Sequence, residues 1–160
     1  MRERVSKNDY YLRIADSVSE RSTCLRRKYG AVIVRDDEIV STGYNGAPRG
    51  RQNCSDCRSC DRDRENVAHN TDYSMCRSVH AEANAIISAA RSEMIGATLY
   101  LFGRDAKNGE RIEDTDCCPM CKRFIINAGI KIVVTHNREI QVRDWIYDDD
   151  SLRNVKGKGM

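Results

Sequence analysis

Apolar residues recur along this chain in short, separated groups, and their spacing predicts alternating helices and strands. Residues 7–21 carry apolar side chains at helical intervals, which predicts an amphipathic first helix. Residues 31–34 and 39–42 have strand-like patterns on either side of a polar turn, so they predict a hairpin. Further strands are expected at residues 98–102 and 131–135.

Two more helices are predicted between and after these strands. Residues 81–90 are rich in helix formers and contain neither proline nor glycine. Residues 119–128 begin with a proline, which suits a first helical turn, and Gly129 is placed to end that helix. Residues 140–147 predict a last strand or a short helix. Helices alternating with strands after an initial hairpin indicate an α/β fold, with a mixed sheet covered on both faces.

The length of 160 residues suits one domain with a core of its own. We expect this domain to span residues 1–147, with a cysteine-rich insertion at residues 49–76 and a mobile tail at residues 148–160. The insertion is polar and cannot build a core from apolar side chains, so it is expected to be either disordered or held by metal. Its metal-binding side chains are Cys54, Cys57, Cys60, His69 and Cys76.

Charge and composition narrow the range of partners. The chain has 27 Lys and Arg against 24 Asp and Glu, a formal charge of +3 that suits a phosphorylated small molecule and is too weak to indicate nucleic acid. Aromatic residues make up only 6%, so no base-stacking surface is expected. No apolar run approaches the ~18 residues of a membrane span, and no apolar signal core follows the first residue. We expect a cytoplasmic protein, in which eight cysteines indicate metal binding or reactive thiols more than disulfides.

The strongest chemical signal is a His-Ala-Glu sequence at residues 80–82 followed by Cys-Pro-Met-Cys at residues 118–121. One histidine and two cysteines give zinc three protein ligands and leave its fourth position open for water, as in catalytic sites. Each ligand group stands at the start of a predicted helix, where the positive helix end favours thiolates. We therefore predict His80, Cys118 and Cys121 as ligands of a catalytic zinc. A small structural zinc site with a glutamate nearby is the alternative.

Glu82 distinguishes a catalytic from a structural site because no structural zinc needs it. Zinc lowers the pKa of its bound water towards ~7. Glu82 would take a proton from that water, pass it to the ring nitrogen of a cytosine, and help to protonate the leaving amine. His-x-Glu with Cys-x-x-Cys is a known signature of zinc-dependent nucleobase deaminases. The sequence therefore predicts hydrolytic deamination with Glu82 as the proton carrier.

Longer stretches resemble the deoxycytidylate (dCMP) deaminases of the cytidine deaminase superfamily, over about residues 8–135. Besides the two zinc motifs, the resemblance lies at residues 21–24, 28–32 and 43–48. The 43–48 loop, Gly-Tyr-Asn-Gly-Ala-Pro, points to the dCMP branch. The resemblance implies a three-layer α/β/α sandwich, zinc, and conversion of dCMP to dUMP and ammonia. It often implies a homohexamer that is activated by dCTP and inhibited by dTTP.

Two departures from the family pattern keep alternatives open. The family usually has proline where this chain has Cys117, so Cys117 is an alternative ligand to Cys118, although the x2 spacing favours Cys118 with Cys121. The loop at residues 103–116 is longer than is common, which leaves the exact pyrimidine open. Another cytosine nucleotide or nucleoside therefore stays an alternative substrate. A zinc-organised binding module without turnover is the alternative outside enzymes.

The resemblance also implies a second, structural zinc. Some dCMP deaminases hold one with cysteines at positions resembling Cys24 and Cys54. Cys60 and Cys76 are the next choices, because cysteine-bearing members also place cysteines there. A closed four-ligand zinc would fold the polar insertion. Cys57 and His69 compete for the same role, and free thiols in a mobile loop are the alternative.

Three residues are expected to contact the substrate. Asn45 would hydrogen-bond the sugar, as the resembling loop does in the family; otherwise it is a turn asparagine with positive φ. Arg26 and Lys28 would contact the phosphate, unless this basic run is only a solvated face. The expected partner is thus a small-molecule nucleotide, with no nucleic acid and no membrane.

Overall fold

The computed structural model describes residues 2–69 and 72–146. Its centre is a five-stranded sheet with the strand order β2-β1-β3-β4-β5. The strands are β1 (Arg27–Arg35), β2 (Glu38–Tyr44), β3 (Thr98–Asp105), β4 (Ile132–Val134) and β5 (Glu139–Gln141). Strands β3 and β4 run parallel, and the other neighbouring pairs are antiparallel. The predicted α/β fold with a mixed sheet is confirmed.

The described helices follow the predicted order and add short elements to it. They are α1 (Lys7–Ser19), α2 (Cys54–Cys57), α3 (Asp61–Arg64), α4 (Ala81–Ile87), α5 (Arg91–Met94), α6 (Pro119–Ala128) and α7 (Val142–Ile146). Helix α6 has the predicted bounds and is ended by Gly129 at φ 81°. Helix α4 is shorter than predicted, because the chain leaves helical geometry at Ser88 and starts α5 three residues later. The last predicted element is both a strand and a helix, β5 and α7.

Helix α1 forms the first layer of the sandwich. Ser6 caps it by accepting a hydrogen bond from the Asp9 amide at 3.1 Å. The helix lies so close to β1 that a Cβ atom on Gly30 would come 1.9 Å from the Ala15 carbonyl oxygen. Glycine at this position therefore sets the distance between helix and sheet. The apolar side chains of this layer are Tyr11, Leu12, Val32, Val34, Tyr100 and Val134.

Helices α4 and α6 form the third layer on the opposite face. Side chains alternate along β1, so Ala31 and Ile33 face these helices while their neighbours face α1. The approach is again close: a Cβ atom on Gly43 would lie 2.4 Å from the Ala81 carbonyl oxygen. Other buried members of this core are Leu99, Leu101, Cys121, Ile125 and Val133. Helices on both faces confirm the three-layer arrangement.

The cysteine-rich insertion has two short helices, α2 and α3, and a buried cation. Arg62 is only 6% exposed, and its guanidinium donates to the carbonyl oxygens of Asp72 at 3.1 Å and Ala68 at 2.8 Å. Charge-assisted hydrogen bonds to backbone oxygens thus stabilise this segment, which has few apolar side chains of its own. The described part of the insertion therefore has local structure, and the expectation that metal holds it stays a prediction.

The predicted tail, residues 148–160, lies outside the described residues. Within residues 2–69 and 72–146, no helix combines the length and the apolar character needed to cross a membrane.

Candidate active site

The N-termini of α4 and α6 bring the predicted metal ligands together. His80 is the N-cap residue of α4 and Cys118 that of α6. Nδ1 of His80 lies 3.4 Å from Sγ of Cys118 and 3.3 Å from Sγ of Cys121. In the described part of the chain, these three residues are the one group of three or more potential ligands whose atoms all lie within 4.8 Å of one another.

The chemistry of this donor set fits zinc, which takes imidazole nitrogen and thiolate sulfur in tetrahedral sites. The two thiols are electrostatically coupled. Interaction with Cys121 and His80 lowers the pKa of Cys118, and interaction with Cys118 together with burial raises the pKa of Cys121. Metal binding would need both sulfurs in the thiolate form.

Glu82 stands in the first turn of α4 beside these ligands and is only 5% exposed. Burial raises the pKa of its carboxyl group because the charged form loses water. A carboxyl with a raised pKa exchanges protons more readily near neutral pH, as a general acid and base must. The geometry thus places a buried carboxyl group next to the metal-binding group.

Cys117 does not join the metal-binding group. Its thiol is buried, and burial raises its pKa well above the usual range, with the neighbouring Glu82 adding to the effect. Cys117 is not in the group of potential ligands whose atoms lie within 4.8 Å of one another, which contains His80, Cys118 and Cys121. The structure therefore favours Cys118 over Cys117 as the partner of Cys121.

A cavity opens in front of the metal-binding group and reaches Asn45. The Asn45 side-chain oxygen accepts hydrogen bonds from the Ser22 hydroxyl at 2.6 Å and the Tyr29 amide at 2.8 Å, and its amide nitrogen donates to the Arg27 carbonyl at 2.9 Å. Asn45 is not among the residues with positive φ, so the alternative of a left-handed turn is wrong. These bonds hold the loop of residues 43–48 against β1 and aim Asn45 at the cavity.

Arg26 lies at the same cavity with its side chain 9% exposed. Its Nε pairs with the Asp63 carboxylate, and Nη2 donates to the Val67 carbonyl oxygen at 2.6 Å. Nη1 is buried and has no hydrogen-bond partner among the described residues. A buried cationic donor without a partner is costly, and an anionic ligand in the cavity would satisfy it.

The position of Lys28 does not support its predicted contact with the substrate. Tyr29 lines the cavity, and side chains alternate between the two faces of a strand. Lys28 therefore faces the α1 side of β1, where its strand partner is Arg104. It is not among the residues that line the cavity.

The second cysteine set comes together on one side of this cavity, which Cys24, Cys54, Cys60 and Cys76 all line. Burial raises the pKa of Cys54 to about 11, and the other three thiols add to that shift. The four sulfurs are less tightly grouped than the ligands around His80. Of the competitors, His69 also lines the cavity, whereas the Cys57 sulfur accepts a hydrogen bond from Arg77 at 3.5 Å.

Two residues that line the cavity, Arg62 and Tyr73, are not predicted from the sequence. Both belong to the insertion, where no motif or periodicity marks them. Arg27 also lines the cavity; the basic run at residues 26–28 is a signal for it, but one that cannot tell which members face inward.

Residues 5–137 match the family described as "Cytidine and deoxycytidylate deaminase zinc-binding region". This chain belongs to that family. The family match and the geometry agree on a zinc-binding deaminase, so the chain is an enzyme rather than a passive zinc module.

Several known proteins similar to this deaminase are named deoxycytidylate deaminase or dCMP deaminase. The chain is 40% identical to a deoxycytidylate deaminase of Mycobacterium phage D29 over 131 residues, which cover 79% of this chain and 91% of the phage protein. It is 35% identical to the Schizosaccharomyces pombe deoxycytidylate deaminase over 84% of this chain but only 38% of that longer protein. The dCMP deaminase of cyanophage S-TIM5, solved with dCMP and dUMP, superimposes with a TM-score of 0.59 at 25% identity, covering 84% of this chain and 83% of that one.

We expect Glu82→Gln to lower turnover by about 10²–10⁴-fold, because the amide cannot carry protons while the metal-binding group stays intact. Steady-state kinetics with zinc content from elemental analysis measures both effects. Glu38→Gln, at the exposed start of β2, is the matched control and should behave like the wild type. Turnover of Glu82→Gln within about tenfold of the wild type contradicts this role.

Proposed function

We propose that this enzyme hydrolyses dCMP to dUMP and ammonia with zinc, through one deaminase domain at residues 1–147. The observation that supports dCMP as the substrate is the buried Nη1 of Arg26, which has no hydrogen-bond partner among the described residues. Arg26 lines the same cavity as Glu82 and the metal-binding group. A phosphate at Arg26 and a pyrimidine at Glu82 are the two ends of one nucleotide. The names of the phage relatives support the same substrate.

At the reacting end, His80, Cys118 and Cys121 would hold the zinc. When bound, zinc supplies a water that is activated for attack near neutral pH. Glu82 accepts the proton of the attacking water, transfers it to the ring nitrogen, and then helps to protonate the departing amine. Burial of Glu82 keeps bulk water away from this transfer.

Arg26 and Arg27 would hold the 5′-phosphate. Both line the cavity, and His69 lines it as well. The pKa of His69 is lowered by its partial burial and then by Arg27, Arg26 and Arg62, which means that the positive charges crowd this edge. A dianionic phosphate relieves that crowding through charge-assisted hydrogen bonds. Asn45 also lines the cavity and has a second amide hydrogen for a sugar hydroxyl.

We expect kcat/KM for dCMP to exceed that for deoxycytidine, because the phosphate supplies binding energy that positions the base. Arg26→Met should lower kcat/KM for dCMP about 10- to 100-fold, as a charged hydrogen bond is lost, and leave deoxycytidine turnover nearly unchanged. The two substrates are compared in the same buffer.

Lys28→Met is the matched control, since Lys28 is a nearby cation in the same basic run but is not among the residues that line the cavity. It should match the wild type on both substrates. Equal kcat/KM values for dCMP and deoxycytidine in the wild type would mean that the enzyme uses no phosphate site and would make a nucleoside the substrate.

We also propose a second, structural zinc held by Cys24, Cys54, Cys60 and Cys76. Their shared place on the cavity wall supports this set, and so does the polar insertion, which has few apolar side chains of its own to stabilise it. Closing four thiolates around zinc would draw the four sulfurs together and tie the insertion to Cys24, which precedes β1.

We expect two zinc ions per chain in protein purified without chelator. Cys54→Ser should reduce this to one and lower the thermal midpoint, because the insertion loses its link to the sheet. Cys57→Ser is the control, since its sulfur contacts Arg77 instead, and should keep two. One zinc in the wild type, with Cys54→Ser as stable as the wild type, excludes the structural site.

We further propose a homo-oligomer, with a hexamer favoured, in the cytoplasm. Exposed apolar side chains on α4 and α6 support self-association: Ile87 is 74% exposed, Phe124 46% and Met120 39%. Their burial against another copy would remove apolar area from water. All eight cysteines are free of disulfides, as in a reducing compartment. Activation by dCTP and inhibition by dTTP are proposed from the family resemblance.

The oligomer should depend on these helices. Light scattering after size exclusion is expected to give a mass near six chains for the wild type and a smaller species for Phe124→Glu, because a charge on an apolar contact is costly. Ile39→Glu changes an equally exposed residue on β2 and should keep the wild-type mass. A monomeric wild type at micromolar concentration refutes the assembly.

A further inference from the structure

The ring of Tyr73 lies against the imidazole of His80. Their centroids are 4.6 Å apart and the ring planes meet at 76°, an edge-to-face contact. His80 turns Nδ1 towards the two cysteine sulfurs. Tyr73 thus contacts the one zinc ligand whose donor atom depends on the orientation of a ring.

Tyr73 is held in turn from within the insertion. The guanidinium carbon of Arg62 lies 4.5 Å from the centre of the Tyr73 ring, a cation–π contact. Arg62 is buried, and its hydrogen bonds to the carbonyl oxygens of Asp72 and Ala68 hold it on both sides. A continuous stack therefore runs from the backbone of the insertion through Arg62 and Tyr73 to His80.

We propose that Tyr73 is a positioning residue for the metal-binding group: it holds the His80 imidazole in the orientation that turns Nδ1 towards the sulfurs of Cys118 and Cys121, with which it would hold the zinc. Rotation about the last torsion of a histidine is broad, so an unsupported ring would spread over orientations in which Nδ1 points elsewhere. Groups behind a ligand commonly change metal affinity or activity by about 10–100-fold.

The stack gives the insertion a part in the catalytic centre. Arg62 and Tyr73 lie between Cys60 and Cys76, so ordering of this segment sets the position of the Tyr73 ring. This inference rests on the proposed zinc site at His80, and its test therefore needs a signal from the metal as well as from turnover.

The experiment compares the zinc-loaded wild type with Tyr73→Leu and Tyr73→Phe. A chromogenic chelator follows zinc release, and the phase that parallels loss of activity reports the ion at His80. We expect Tyr73→Leu to release this zinc about 10–100-fold faster and to lower kcat for dCMP, with KM changed less than about threefold. Tyr73→Phe keeps the ring and should restore wild-type release and turnover.

Two further variants make the result decisive. Tyr10→Leu removes an exposed tyrosine whose ring contacts Tyr11 instead, and it should leave release unchanged. Tyr73→Met replaces Tyr73→Leu if the latter does not fold. Unchanged zinc release in the folded variant, or a rise in KM alone, overturns the positioning role, because either makes Tyr73 a cavity wall or a substrate contact. A wild type without zinc at His80 would instead refute the proposed function itself.

Discussion

The rest of this structure depends on the meeting of two helix N-termini on one face of the sheet. Helices α4 and α6 each present a capping residue, His80 and Cys118, at the end where unpaired backbone N–H groups create a positive potential. That potential favours a thiolate, and the thiolate and imidazole are donors that fit zinc. The helices can meet there because Gly43 lets α4 lie against β2 with no Cβ atom between them. The geometry of the metal-binding group therefore depends on the close packing of the third layer against the sheet.

The polar insertion shows how a segment with few apolar side chains can still belong to an active site. Its Asp63 and Val67 orient Arg26, and its Tyr73 contacts His80. These contacts are ionic, hydrogen-bonded or aromatic, and they run inward to the cavity instead of outward to solvent. The insertion thus forms part of the wall of the cavity that the metal-binding group also lines.

One cavity is lined by two kinds of ionisable group. Glu82 is a buried carboxyl whose pKa is raised because its charged form loses water. Arg26 keeps a buried cationic nitrogen without a hydrogen-bond partner in the described part of the chain. The proposed nucleotide would offer a partner to each group, with its anionic phosphate at Arg26 and its base at Glu82. A neutral nucleoside would leave the cation unsatisfied.

The sequence by itself determined the α/β fold, the bounds of α6 and the residues that form the metal-binding group. Periodicity reports burial in each element, and the spacing from Cys118 to Cys121 within one helix start limits how two sulfurs can be arranged. Only the tertiary structure decided which residues of the basic run face the cavity, since strand alternation turns Lys28 away while the loop before β1 brings Arg26 in. It alone revealed Arg62 and Tyr73, because their contacts join an insertion without periodicity to a helix cap. Such contacts depend on which distant segments pack together in the fold, and a local sequence pattern does not predict them.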